Sequence, residues 1–156
     1  MVYLISGFDA GLSNPYNHQL LSGAEVINMV NIPDDLLYTE SHEWAKIEGK
    51  RARVGITDYA QEALTEIVNI DFVVDVGAAV KKGNAIVVLD SVKSSNEVYA
   101  PLSGKIIELN TNLRNELEKI NKDPYGSGWL AVIELENLEE TKTLLNANAY
   151  RKMIQQ

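Results

Sequence analysis

From Pro33 onward, short apolar runs alternate with glycine-marked turns. "LYTESHEWAKIEG" followed by "KRARVGIT" predicts two strands joined at Glu48-Gly49-Lys50. "VNIDFVV" sets Val68, Ile70 and Phe72 against Asn69, Asp71 and Val73, the two-residue period of a half-buried strand. "VGAAVKKGNAIVVLD" and "EVYAPLSGKIIELN" each predict strand, turn and strand, and "GWLAVIEL" adds another strand. Three segments carry helical spacing instead. In "DYAQEALTEI", Asp58 and Gln61 have capping-box spacing, and Tyr59, Ala63, Leu64 and Ile67 can share a face. In "NLRNELEKIN", Leu113, Leu117 and Ile120 recur at i, i+4 and i+7, and Asp123-Pro124 ends the run. Residues 137–156 predict a C-terminal helix, interrupted near Asn146. Many short strands with regular glycine punctuation predict a mainly β fold, a small sandwich or flattened barrel with a few short helices.

Residues 1–32 differ in texture. Gly7, Gly11, Asn14-Pro15 and Ser22-Gly23 cut them into pieces too short for a helix or sheet. They are expected to form a loosely ordered extension, in which His18 has no role. The expected organisation is that extension, a β domain over residues 33–136, and a helical segment over 137–156 packed on it.

Composition narrows the chemistry. The chain has 156 residues, enough for one domain with a real core. A net charge of -8 disfavours nucleic acid and anionic lipid as partners, and no apolar run reaches the length of a membrane span. The absence of cysteine excludes disulfides, thiolate metal sites and a cysteine nucleophile. The two histidines, His18 and His42, lack metal-ligand spacing, so no protein metal site is expected. His42 is expected as a partly buried strand residue. No basic residue precedes Lys46, unlike a secretory n-region or an Arg-rich transit peptide, so the chain is expected in the cytoplasm. No nucleophile–base constellation or Gly-rich phosphate loop suggests an enzyme.

One lysine stands out by position. The run 86–89 is continuously apolar and predicts a strand buried on both faces, with 98–101 as its return. Between them "DSVKSSNE" is too polar for a core, and Asp90, Ser91, Ser94, Ser95 and Asn96 read as turn or surface residues. Lys93 therefore projects from a tight turn between two anchored strands. A primary amine on such a tip is accessible to an acylating enzyme, although an unmodified surface lysine fits the same pattern.

"YTESHEWAKIEG", "VGITDYAQEALTEIV", "LDSVKSSNEVYAPLSGKIIELN" and "NKDPYGSGWL" together resemble the H-protein family of the glycine cleavage system, in the family's order and spacing over residues 33–150. The resemblance implies a lipoyl-domain-like flattened antiparallel β-sandwich and a non-catalytic carrier. It implies lipoate joined covalently to Lys93. The carrier would take an aminomethyl group from glycine decarboxylase (P protein) to aminomethyltransferase (T protein). Dihydrolipoyl dehydrogenase (L protein) would reoxidise the arm, and a lipoate ligase or octanoyltransferase would install it. Neighbours Val92 and Ser94 set the turn apart from biotin carriers, which flank the lysine with methionine. "SHEW" and "DPYGSGWL" set it apart from the lipoyl domains of 2-oxoacid dehydrogenases.

The resemblance also implies roles for three acids: Asp90 in recognition by the lipoylating enzyme, Glu43 and Glu97 as contacts for the ammonium of the loaded arm. Asp90 stands where Glu is usual and Glu97 where Asp is usual. Ser94 replaces Ala, Ala63 removes a histidine that some members carry near the groove, and Thr65 replaces Gly. Trp44 and Trp129 are expected as core aromatics. A second reading keeps the modification but makes the chain a lipoyl relay, supplying lipoate to other proteins or serving a redox or stress pathway. A third is an unmodified β-domain used only for binding.

Overall fold

A computed structural model describes residues 30–155. Of the extension expected over residues 1–32, all but the last three residues lie outside that range, His18 among them. Ile32 is buried, and the Asn31 N–H donates to Asp58 at 2.9 Å.

The described chain forms nine strands: β1 (Leu37–Tyr38), β2 (Glu43–Glu48), β3 (Arg51–Ile56), β4 (Ile67–Phe72), β5 (Ala79–Val80), β6 (Ala85–Ser91), β7 (Ser95–Tyr99), β8 (Gly104–Leu109) and β9 (Ala131–Leu135). Three short helices accompany them: α1 (Asp58–Leu64), α2 (Glu118–Lys122) and α3 (Ala147–Ile154). Six strands form one sheet in the order β1-β2-β3-β9-β8-β5, and β4-β6-β7 form a second. All strand pairs are antiparallel. The fold is thus mainly β, as the pattern predicted.

The principal core lies between the sheets: Val54, Ile106 and Ile133 from one meet Ile70, Val87 and Leu89 from the other. A fully buried side chain of this size contributes about 1.5–3 kcal/mol. A second cluster joins Ile32, Tyr38 and Trp44 to Ala147, Tyr150 and Ile154, so α3 packs over β1 and β2. Close approach fixes Gly104, where an added Cβ would lie 2.0 Å from the Glu134 carbonyl oxygen of β9.

Several sequence expectations need correction. Thr57, not Asp58, caps α1: its Oγ1 accepts from the Ala60 N–H at 3.1 Å, while Asp58 accepts from the Gln61 amide at 2.7 Å. Ile67 is not on the helix but opens β4. A register shift between Ile67 and Asn69 turns Val68 outward, so Ile67 and Ile70 are buried and Val68 is 47% exposed. The run around Leu113 is two pieces, a 3-10 turn at Thr111–Asn115 and α2, split where Glu116 leaves helical space at φ -142°. Leu113 and Ile120 still reach the core, one from each piece. The C-terminal segment is likewise a 3-10 turn at Leu138–Thr143 and then α3, with Asn146 between them as the α3 N-cap.

Candidate functional site

The site begins with a hairpin. β6 is the middle strand of its sheet, and Ile86, Val87 and Leu89 are fully buried. The chain reverses at Val92, Lys93 and Ser94. The Ser91 N–H donates to the Ser94 carbonyl at 2.8 Å, and the Ser91 hydroxyl accepts from the N–H groups of Ser94 at 3.2 Å and Lys93 at 3.3 Å. Ser91 was expected at the surface but is buried, because it fastens the turn from within. The Val92 N–H donates to the Glu66 carbonyl at 3.2 Å, tying the tip to the chain before β4. Lys93 is exposed, and its ammonium has no partner among the described residues. A free amine thus stands on a clamped turn.

Glu43, at the start of β2, is 2% exposed. Its carboxylate accepts from the Thr39 hydroxyl at 2.5 Å, the Ser41 hydroxyl at 2.6 Å and the Tyr99 N–H at 3.1 Å. Burial pushes its pKa above the ordinary carboxylate value, and these donors only partly offset that. Glu97 is exposed on β7 and accepts from the Tyr99 hydroxyl at 3.3 Å. Tyr99 thus touches both acids, one through its backbone and one through its side chain.

The two acids line one groove of about 230 Å³, with His42 beside them and Ile56, Ala60 and Leu64 as an apolar wall. Ala63 lines it as well, so the helix offers a methyl group there and no imidazole. Two larger cavities lie elsewhere. One, of about 740 Å³, sits between α1 and α2 and holds none of the candidate residues. The other, of about 460 Å³, meets the groove only through Ser41 and Glu43. The small groove combines both acids with Asn96 and Val98 of the Lys93 hairpin's return strand.

Asp90 is not part of that groove. It accepts from the Ser95 hydroxyl at 2.6 Å and from the Asn69 amide at 3.1 Å, bridging β4, β6 and β7. The Ser95 bond and then the Asn69 bond hold its carboxyl below the usual range, so it keeps its charge near the tip.

His42 is not a strand residue. It sits in the turn before β2 with φ 72°, a left-handed conformation, and its Nδ1 lies 2.7 Å from the Tyr150 hydroxyl. Burial lowers its pKa. Trp44 is a core residue, 1% exposed, whose indole donates to the Pro124 carbonyl at 3.0 Å. Trp129 is half-buried, with the Arg53 guanidinium 5.2 Å from its ring centroid.

Sequence reasoning missed four groups: Thr39, Ser41, Tyr99 and Tyr150. Thr39 and Ser41 carried a usable signal, being polar at alternate positions before Glu43. The Tyr99 backbone and the Tyr150 hydroxyl carried none, because each reaches the site by folding from 56 and 108 residues away. Among the described residues no group of His, Asp and Glu could hold a metal, and no helix is long and apolar enough to cross a membrane.

Known proteins resemble this chain closely. The glycine cleavage H-protein family model matches residues 36–156. A glycine cleavage system H protein of Endomicrobium trichonymphae is 45% identical over 80% of this chain and all of its own. One from Thermus thermophilus is 41% identical over 81% of this chain and 98% of its own. The crystal structure of a glycine cleavage system H protein from Mycobacterium marinum superposes with a TM-score of 0.70 at 37% identity, covering 78% of this chain and 97% of that one. Sequence and fold agree along almost the whole length of those relatives, and the chain belongs to the glycine cleavage H-protein family.

Proposed function

We propose that this chain is the lipoyl carrier of the glycine cleavage system, with lipoate in amide linkage to Lys93. The observation that carries the reading is the free lysine amine on a clamped hairpin whose return strand lines a groove holding two acids. The amide would remove the charge of an amine that neutralises no neighbour, so modification breaks no ion pair. Bound there, lipoate supplies the redox-active sulfurs that a cysteine-free chain lacks.

The chain's own residues do the rest. Ile56, Ala60 and Leu64 keep water from the groove, which slows hydrolysis of an aminomethyl cargo. Glu43 is an acid whose burial is not offset by any cation, so an arriving ammonium stabilises its charged form. Glu97, at the open side, supplies a second charge. Asp90, held ionised outside the groove, serves recognition by the lipoate ligase or octanoyltransferase. In this reading the chain is a non-catalytic carrier. Its partners are then glycine decarboxylase, which loads it, aminomethyltransferase, which unloads it, and dihydrolipoyl dehydrogenase, which reoxidises it. The cytoplasmic setting expected from the sequence belongs to the same proposal.

Two measurements test this. The peptide containing Lys93 should gain a lipoyl mass after incubation with lipoate ligase, ATP and lipoate, and Lys93→Arg should gain none. The modified chain should then support glycine decarboxylation with the other three components. A lipoylated chain inactive in that mixture would move the reading to a lipoyl relay, and a chain that takes no lipoyl group would sink it.

A further inference from the structure

A chain of hydroxyl groups ends on the groove histidine. The Thr57 hydroxyl and the Tyr150 hydroxyl lie 2.8 Å apart, and the Tyr150 hydroxyl is 2.7 Å from the His42 Nδ1. Both Thr57 and Tyr150 are 0% exposed, so each hydroxyl proton needs a partner inside the protein. Thr57 Oγ1 already accepts from the Ala60 N–H at the start of α1. Its proton therefore goes to the Tyr150 oxygen, its one remaining partner among the described residues. Tyr150, accepting from Thr57, must then donate to His42 Nδ1. An Nδ1 that accepts has no proton, so in neutral His42 the proton sits on Nε2.

Nε2 has no partner among the described residues, and His42 lines the groove with Glu43 and Glu97. The ring is braced by Tyr59, whose centroid is 4.8 Å away, and by the edge of Tyr150. The left-handed backbone at His42 persists because these contacts over-determine it. The groove thus holds two carboxylates and, besides the Asn96 amide that already donates to Ser94, one ring N–H donor, that of His42. A lipoyl-lysine arm carrying an aminomethyl cargo presents one strong acceptor, its amide oxygen.

We propose that Thr57 and Tyr150 hold His42 in its Nε2–H form, and that this N–H is the groove's donor to the amide oxygen of the bound arm. The second half rests on the reading of Lys93 as a lipoyl-lysine; the first does not. His42 is the contact residue, and Thr57 and Tyr150 are positioning residues. Ala63 leaves the helix without an imidazole, so the donor comes from the turn before β2.

The first test needs no arm. Long-range proton–nitrogen NMR of the unmodified chain, with His18→Gln used for assignment, should show His42 as the Nε2–H tautomer at neutral pH. Tyr150→Phe should give a mixture of tautomers. An Nδ1–H form in the parent chain, or no change in Tyr150→Phe, would overturn the relay. The second test uses the lipoylated chain, reduced and loaded chemically without partner enzymes. Its thiol, formaldehyde and ammonia combine to the aminomethyl thioether with loss of one water. The His42 Nε2–H resonance should move on loading. By mass spectrometry, His42→Phe should shorten the adduct's lifetime roughly fivefold, the loss of one neutral hydrogen bond. His42→Gln should recover part of it. An unmoved resonance with equal lifetimes would overturn the arm contact. Failure of glycine decarboxylation alone would count against the proposed function while leaving both readouts intact. Failure of Lys93 to accept lipoate would remove the arm contact along with that function, and the tautomer would still decide the relay.

Discussion

Replacing Thr65 with glycine should make this protein more stable. Thr65 follows α1 with φ 65° and ψ -153°, a region that glycine alone occupies at low cost. A β-branched residue there is strained by about 1–3 kcal/mol. The position cannot relax, because both its backbone groups are engaged. The N–H donates to the Gln61 carbonyl at 3.0 Å, and the carbonyl accepts from the Asn121 amide at 2.7 Å. Asn121 in turn accepts from the Ile67 N–H at 3.0 Å, so the strained residue sits in a frame that sets the entry to β4. That frame uses only the backbone of residue 65 and survives the substitution. Against the relief stand glycine's extra freedom in the unfolded chain, about 0.5–1 kcal/mol, and a local hydroxyl bond to the Leu64 carbonyl at a half-exposed site. The net gain for Thr65→Gly is on the order of 1 kcal/mol, or roughly 3 °C in Tm for a chain of this size. Thr65→Ala is the control. It loses the hydroxyl bond but keeps a Cβ at positive φ, so it should gain little. Thermal and urea unfolding of the three proteins decide the matter. If Thr65→Gly melts no higher than Thr65→Ala, the strain argument is wrong.

Glu43→Gln should change how stability depends on pH. Burial raises the Glu43 pKa in the fold above its ordinary value of 4.5, so the unfolded chain loses that proton first. Stability should therefore fall as pH rises from about 4.5 through the raised value, and this slope should vanish in Glu43→Gln, as followed by Tm against pH. The same variant should shorten retention of an aminomethyl cargo, which mass spectrometry of the loaded chain would read. Asp90→Asn should slow modification of Lys93 by lipoate ligase about tenfold if the enzyme makes one charge-assisted hydrogen bond to that carboxylate; an unchanged rate would remove Asp90 from recognition. Gly104→Ala should cost at least about 2 kcal/mol in urea unfolding, because its Cβ would lie 2.0 Å from a backbone oxygen that the β8–β9 ladder holds in place.

The parts legible in the sequence were those set by short-range rules. A continuous apolar run over 86–89 and its return at 98–101 located the β6–β7 hairpin, and the polar stretch between them marked its tip, so the sequence alone places Lys93 on a turn. The errors fall where a longer-range contact overrides a local one. Capping-box spacing suggested Asp58, but the Thr57 hydroxyl wins the cap, with Tyr150 as its partner from 93 residues away. The alternation in "VNIDFVV" put Val68 inward, but a register shift against β6 turns it out. Ser91 read as surface because serine usually is, yet it is buried to hold the turn. The site follows the same division. That Glu43 and Glu97 belong together came from resemblance, not from spacing, since 54 residues separate them and only the meeting of the start of β2 with the end of β7, from different sheets, brings both to Tyr99. The His42–Tyr150 contact, spanning 108 residues, had no local signature. It nevertheless explains why a turn residue can hold a left-handed backbone: a stacked Tyr38–Tyr150 pair, with centroids 4.7 Å apart, anchors α3 where its hydroxyl meets the imidazole. The helix at the end of the chain is thereby coupled to the groove near the hairpin tip, so destabilising α3 should alter His42 before it alters Lys93.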